Sequence, residues 1–213
     1  MTRTSSVLIW KKLLVDGSKV VTSEHVRQIS QNMGKDYTRS LRYLLEHDYL
    51  VRIFRGIFYV NSTDERDAGT PDRPVLRIVA EALALKSVKH WYLGLETALR
   101  INGLTHEYFT VNYIITDSYR TTKVIRIADA RYQFLKWSGS HFQSGIRREY
   151  ELKFSDKEKT VLDLVYKRYL ESRDERNAIS PFIEYEKMLE KTKVRQYLVE
   201  YPAKIQEIVR KML

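Results

Sequence analysis

Two apolar runs, Leu50-Val51-Arg52-Ile53-Phe54 and Ile57-Phe58-Tyr59-Val60, face each other across Arg55-Gly56. Glycine supplies the positive φ that a tight hairpin turn demands, so the segment reads as a β-hairpin. What precedes it reads as helical. Val7, Leu8, Leu13 and Leu14 surround Ile9 and Trp10 in a first helix over residues 5–15. Asp16-Gly17-Ser18 makes a turn, and Val20-Val21 a short extended piece. Thr22 or Ser23 caps a second helix from Glu24 to about Asn32, with Glu24 near its positive end. Gly34 breaks it, and a third helix runs from about Lys35 to His47. Helix, short strand, helix, helix, hairpin is the order of a winged helix-turn-helix.

That architecture reads DNA by offering the outer face of one helix to the major groove. On the third helix Tyr37, Leu41, Leu44 and Leu45 form the apolar stripe. Lys35, Arg39, Arg42, Tyr43 and Glu46 take the other face. Arginine there reads guanine edges or grips phosphates, and Tyr43 bonds a phosphate or touches a thymine methyl. Arg52 and Arg55 belong to the wing, beside the backbone or minor groove. The candidate DNA-binding residues are therefore Lys35, Arg39, Arg42, Tyr43, Arg52 and Arg55. The plain alternatives are a solvated helix face and a winged helix used to bind protein.

Charge supports the nucleic-acid reading. Net charge is +10 in 213 residues, with a pI near 9.6. Residues 1–60 hold ten Lys and Arg against five Asp and Glu, which makes this segment the more basic per residue. No cysteine is present, which removes disulfides and thiolate metal sites. No apolar run approaches a membrane span, and Val7–Trp10 is too short for a signal-peptide core. A cytoplasmic protein that does not bind membranes is expected. Residues 61–74 are polar, carry Gly69, Pro71 and Pro74, and lack apolar periodicity. They read as a linker between a domain at 1–60 and another at 75–213.

The second domain opens with two helices, one carrying Val75, Leu76, Val79, Ala82 and Leu83, the next Leu95, Ala98 and Leu99 up to Gly103. Four alternating segments follow at 109–116, 123–128, 131–137 and 146–154. In the last, Ile146, Arg148, Tyr150, Leu152 and Phe154 face one way, and Arg147, Glu149, Glu151 and Lys153 the other. Ser155 and Glu158 form a capping-box pattern for a helix with Val161, Leu162, Leu164, Val165 and Tyr169. A loop at 172–180 leads to a helical tail. The fold class is α+β: a winged helix-turn-helix, then an α+β domain with an antiparallel sheet and a helical tail.

These residues reach a resemblance. The stretch Trp91-Tyr92-Leu93-Gly94-Leu95-Glu96-Thr97-Ala98-Leu99-Arg100-Ile101-Asn102-Gly103-Leu104-Thr105 resembles the helix segment that follows the winged helix in AbiEi-family antitoxins. Phe154-Ser155-Asp156-Lys157-Glu158-Lys159-Thr160-Val161-Leu162-Asp163 is similar to that family's capped-helix motif, with Lys159 where Arg is expected. Arg55-Gly56-Ile57-Phe58-Tyr59 resembles its wing turn. The three motifs stand in order across residues 7–170. The resemblance implies a type IV toxin–antitoxin or abortive-infection system. It also implies a winged helix that represses the system's own promoter, and a C-terminal domain that counters a nucleotidyltransferase-like toxin. Expected partners are double-stranded operator DNA and that toxin, with the chain a monomer or a DNA-bound dimer.

No enzyme and no cofactor are expected. His25, His47, His90, His106 and His141 are not at ligand spacing, and no P-loop, His-Glu-x-x-His or Gly-x-Ser-x-Gly occurs. Each histidine reads as a surface or satisfied structural residue. Glu151 with Asp117 or Asp129 echoes a metal-dependent nuclease, and Gly139-Ser140 with Glu149 and Glu151 a nucleotidyltransferase. Alternating Glu and Lys is also how an edge strand avoids aggregation. Two other functions stay open beside the antitoxin. One is a stand-alone transcription factor with a sensing or dimerisation domain; the other is the nuclease.

Overall fold

The computed structural model describes residues 3–128 and 130–213, with side chains from residue 6 onward in the first helix. Helix α1 (Arg3–Val15) ends at Gly17, whose φ of +77° turns the chain into strand β1 (Val20–Thr22). Thr22 Oγ1 accepts the His25 N–H at 3.2 Å and so starts helix α2 (Ser23–Asn32). Asp36 does the same for helix α3 (Tyr37–Glu46), accepting the Arg39 N–H at 2.7 Å. Lys35, expected on this helix, lies in the turn before it. Strands β2 (Leu50–Phe54) and β3 (Ile57–Val60) form the hairpin, with Gly56 at φ +79°. The sheet order is β1-β3-β2, antiparallel throughout. Element order and sheet together are those of a winged helix-turn-helix.

Ile9, Trp10 and Leu13 from α1, Val26 and Ile29 from α2, and Leu44 from α3 close over Val21, Leu50, Phe58 and Val60. Burying each such side chain contributes about 1.5–3 kcal/mol.

The expected linker is ordered. Residues 63–68 form helix α4 (Thr63–Ala68), opened by a capping box between Ser62 and Glu65. Glu65 is 3% exposed and accepts from the Ser62 N–H (2.6 Å), the Asp72 N–H (2.9 Å), Lys19 Nζ (2.6 Å) and the Tyr59 hydroxyl. Burial alone would raise its pKa; these four donors hold it well below the usual carboxylate range. Arg66 lies 3.7 Å from the centre of the Tyr49 ring. Helix α5 (Val75–Leu85) then packs on β1, β2 and β3. The first compact unit therefore runs to Ser87, with a short stretch from Arg126, rather than ending at residue 60. Polar composition hid this, because one buried carboxylate organises the segment rather than an apolar stripe.

The second unit, Val88–Ile125 and Ala130–Leu213, supplies strands β4, β5, β7, β8 and β9 of a six-stranded sheet in the order β6-β7-β5-β4-β9-β8. The strands of the sheet are β4 (Trp91–Leu93), β5 (Val111–Thr116), β6 (Ile125–Ile127), β7 (Ala130–Lys136), β8 (Ile146–Glu149) and β9 (Leu152–Ser155). The sheet is mixed, not antiparallel. β5 runs parallel to β7, with Val111 opposite Arg131, and β4 runs parallel to β9. Consecutive strands β4/β5, β6/β7 and β8/β9 lie side by side, but the two parallel pairings join strands that are not consecutive in the chain, and periodicity along one strand carries no trace of that. Trp91–Leu93, read within a helix segment, is a central strand. Helix α6 (Leu95–Ile101) starts only after Gly94, where a Cβ would meet Ile115 Cδ1 at 2.7 Å.

The expected strand at 146–154 is a hairpin. The chain turns at Tyr150, φ +53°, without a glycine to mark it. Helix α7 (Lys157–Ser172) is capped by Asp156, which accepts the Lys159 N–H at 3.0 Å. Ser155, the expected cap, instead shares its hydroxyl with Thr160 at 2.7 Å. The expected loop at 172–180 is mostly helix α8 (Glu175–Tyr185), capped by Asp174. Helices α9 (Lys191–Leu198) and α10 (Ala203–Arg210) complete the tail. Tail residues Val194, Leu198, Ile205 and Val209 share one core with Tyr92, Val161 and Val165. Among the described residues no helix is long and apolar enough to cross a membrane.

Candidate nucleic-acid interface

Helix α3 turns Ser40 and Leu44 inward and leaves Thr38, Arg39, Arg42 and Glu46 exposed. Arg39 and Arg42 stand one turn apart on that outer face. Among the described residues neither guanidinium has a hydrogen-bond or ion-pair partner. Both charges are open to a ligand. Asp36, at the head of the helix, spends its carboxylate on the Arg39 N–H. Lys35 is exposed in the adjoining turn.

Arg55 is exposed at the hairpin tip. The tip is tied down, because the Gly56 carbonyl accepts the Ser23 N–H at 2.8 Å. This places Arg55 beside the start of α2, where helix-turn-helix proteins meet the phosphate backbone. Arg52 is exposed, and its guanidinium lies 5.9 Å from the Phe58 ring directly across the ladder.

Tyr43 is elsewhere. Its ring stacks on His47 at 4.1 Å and on Tyr49 at 6.1 Å, half-buried against the first core. It supports the helix from behind and does not join Arg39 and Arg42. Arg27 was not singled out from the sequence. Its guanidinium sits 4.8 Å from the Tyr37 ring in the first turn of α3 and pairs with Glu24 at 2.7 Å. It bridges the two helices of the motif. The Glu24–Arg27 spacing marks a surface pair, but only the fold brings it to α3.

Among the described residues, the carboxylates considered for metal chemistry are not assembled. Asp117 bonds His90 Nδ1 at 2.6 Å. Burial works against that carboxylate, yet the bonds from His90 and Ser118 hold it below its usual range. Glu149 and Glu151 are exposed beside the β8–β9 turn, and Asp129 lies outside the described residues. Among the described residues no three His, Asp or Glu side chains come together as a metal site.

A second group of charges is sealed inside the C-terminal unit. Lys159 Nζ lies 3.8 Å from Asp163 and 3.6 Å from Glu200, with side-chain exposures of 0%, 0% and 2%. Asp163 accepts from Tyr201 (2.6 Å) and Tyr92 (2.9 Å), and burial still pushes it up to about 6. Both Glu200 carboxylate oxygens and His141 Nδ1 are buried without a hydrogen bond. His141 is thus neither a surface residue nor a fully satisfied one. Burial, then the Lys159 charge, lowers it to about 4. With its members buried, this group joins α7 to the tail.

No protein-family model matches the sequence, and no curated protein matches it. The fold has a solved counterpart. It is similar to the RV2827C protein from Mycobacterium tuberculosis, at 12% identity and a TM-score of 0.57. The likeness covers 98% of this chain and 78% of that one. At this identity it is a likeness of fold, and it embraces both units.

Proposed function

We propose that this protein is a DNA-binding antitoxin that represses its own promoter. In this reading α3 enters the major groove and the second unit counters a nucleotidyltransferase-like toxin. The observation that carries the DNA half is the pair Arg39 and Arg42, exposed and unpartnered on the outer face of α3. Unspent guanidinium groups at one-turn spacing suit guanine edges or successive phosphates. Arg55 at the tethered hairpin tip and Lys35 before α3 add phosphate contacts on the same motif. The toxin half is supported by the AbiEi-like motifs around Gly94 and Asp156.

Fluorescence anisotropy with duplex DNA from upstream of the gene tests the first half. Arg39→Ala and Arg42→Ala are each expected to weaken binding by about 1–3 kcal/mol if they read base edges. Affinity is expected to fall steeply with salt as counterions are released. Unchanged binding in the double variant overturns the assignment of α3. For the second half, full-length Arg39→Ala is expected to protect cells from the toxin encoded beside it while losing repression. Repression without protection in the unmodified protein points instead to a stand-alone transcription factor.

A further inference from the structure

The β8–β9 hairpin sets two cations against each other. Arg148 and Lys153 are direct cross-strand partners. Like charges in that relation destabilise a sheet. Lys153 is half-buried, donates to the Lys89 carbonyl at 2.9 Å and lies 5.5 Å from the centre of the Trp91 ring. Burial, then the nearby Arg148 charge, lowers its pKa. With Lys89, His90 and Phe142 these side chains line an open pocket of about 280 Å³, and no carboxylate is among the residues lining it. Asp117, bonded to His90, is the acidic group attached to this region. A fold that crowds cations around a hollow with no carboxylate in its lining leaves the position of an anion open.

We propose that this pocket binds the phosphate of a nucleotide. The planar fork of Arg148 matches two phosphate oxygens, and Lys89 and Lys153 add point charges. Phe142 is half-buried with its ring 6.0 Å from His90, which gives a base a surface to stack on. The volume is at the small end for ligand pockets, so it suits one nucleotide rather than a duplex. The site belongs wholly to the second unit and stands whether or not α3 binds DNA.

Calorimetric titration of the full-length chain with AMP, adenosine and inorganic phosphate tests this. AMP is expected to bind, phosphate to bind more weakly, and adenosine not to bind at the same concentrations. Arg148→Ala and, separately, Lys89→Ala are expected to raise the AMP dissociation constant at least tenfold. The Arg39→Ala/Arg42→Ala pair is expected to leave it unchanged. Arg148→Ala is also expected to raise the melting temperature of the ligand-free protein, because it relieves the cross-strand repulsion. Absence of AMP binding at millimolar concentration overturns the proposal. So does undiminished binding in Arg148→Ala with the fold intact by circular dichroism, or adenosine binding as tightly as AMP. Tighter binding to phosphatidylserine vesicles than to AMP at equal phosphate overturns it in favour of a lipid surface.

Discussion

The two units use their charges in opposite ways. The first carries Arg39, Arg42 and Arg55 on its surface, where they contribute little to folding and stay available to a ligand. The second closes Lys159, Asp163 and Glu200 away from water altogether. Exposed unpaired cations point to binding. Buried paired ones cost desolvation and return it only while the set is complete. Removing the cation from that buried set is therefore expected to destabilise the second unit, while removing a charge from α3 is expected to change what it binds.

The largest effect is expected at Lys159. Lys159→Met leaves Asp163 and Glu200 buried without their cation, and Glu200 already lacks a hydrogen-bond donor. The loss is expected to be about 3–5 kcal/mol in urea unfolding at neutral pH. Adding Glu200→Gln to that variant removes one of the stranded charges and is expected to recover part of the loss. Additive losses in the double variant would show that Lys159 acts through packing rather than through its charge.

The first unit has one buried charge of its own, and it sharpens the contrast. Glu65→Ala deprives the Ser62 and Asp72 N–H groups, Tyr59 and Lys19 of their common acceptor. The expected cost is about 2–3 kcal/mol. Residues 69–74 are expected to resist limited proteolysis in the unmodified protein and to be cut in the variant. Early cleavage there in both would mean that the segment is a mobile linker despite its carboxylate.

The legibility of these features follows the range of the interactions that make them. The winged helix was readable because its signals are local: Thr22 as a cap, Gly56 at the turn, Leu41 and Leu44 at helical spacing; the Asp36 cap of α3, one residue inside the expected start of that helix, was missed. The exposed Arg39 and Arg42 follow from that same periodicity. Ser62 and Glu65 carried an equally local capping box, but the surrounding polar residues masked it. Non-local features were not readable. Nothing near Tyr150 announces a turn, so Arg148 and Lys153 fell on opposite faces of one imagined strand instead of side by side across a hairpin. The parallel pairing of β5 with β7 likewise depends on where β6 lies, which no single segment records. Tyr43 has the right spacing for the outer face; its ring turns inward because Tyr49, six residues on, offers it a stack.

The smallest expected effect separates two titrating groups within the second unit. Asp163 is raised from 3.8 to about 6 by burial, so its contribution to stability is full below its unfolded value and is lost as pH rises through 6. His141 is lowered from 6.5 to about 4 by burial and by Lys159, so its contribution is full above 6.5 and is lost as pH falls through 4. Between pH 4 and 6 the two slopes oppose each other, and these groups together leave stability nearly level. Removing either exposes the other. His141→Phe is expected to make the unit lose about 2 kcal/mol as pH rises from 4 to 6. Asp163→Asn is expected to make it gain a similar amount over the same interval. Urea midpoints followed through Trp137, whose ring lies 5.3 Å from His141, read both slopes. Slopes of the same sign in the two variants would mean that another group governs the titration of this core.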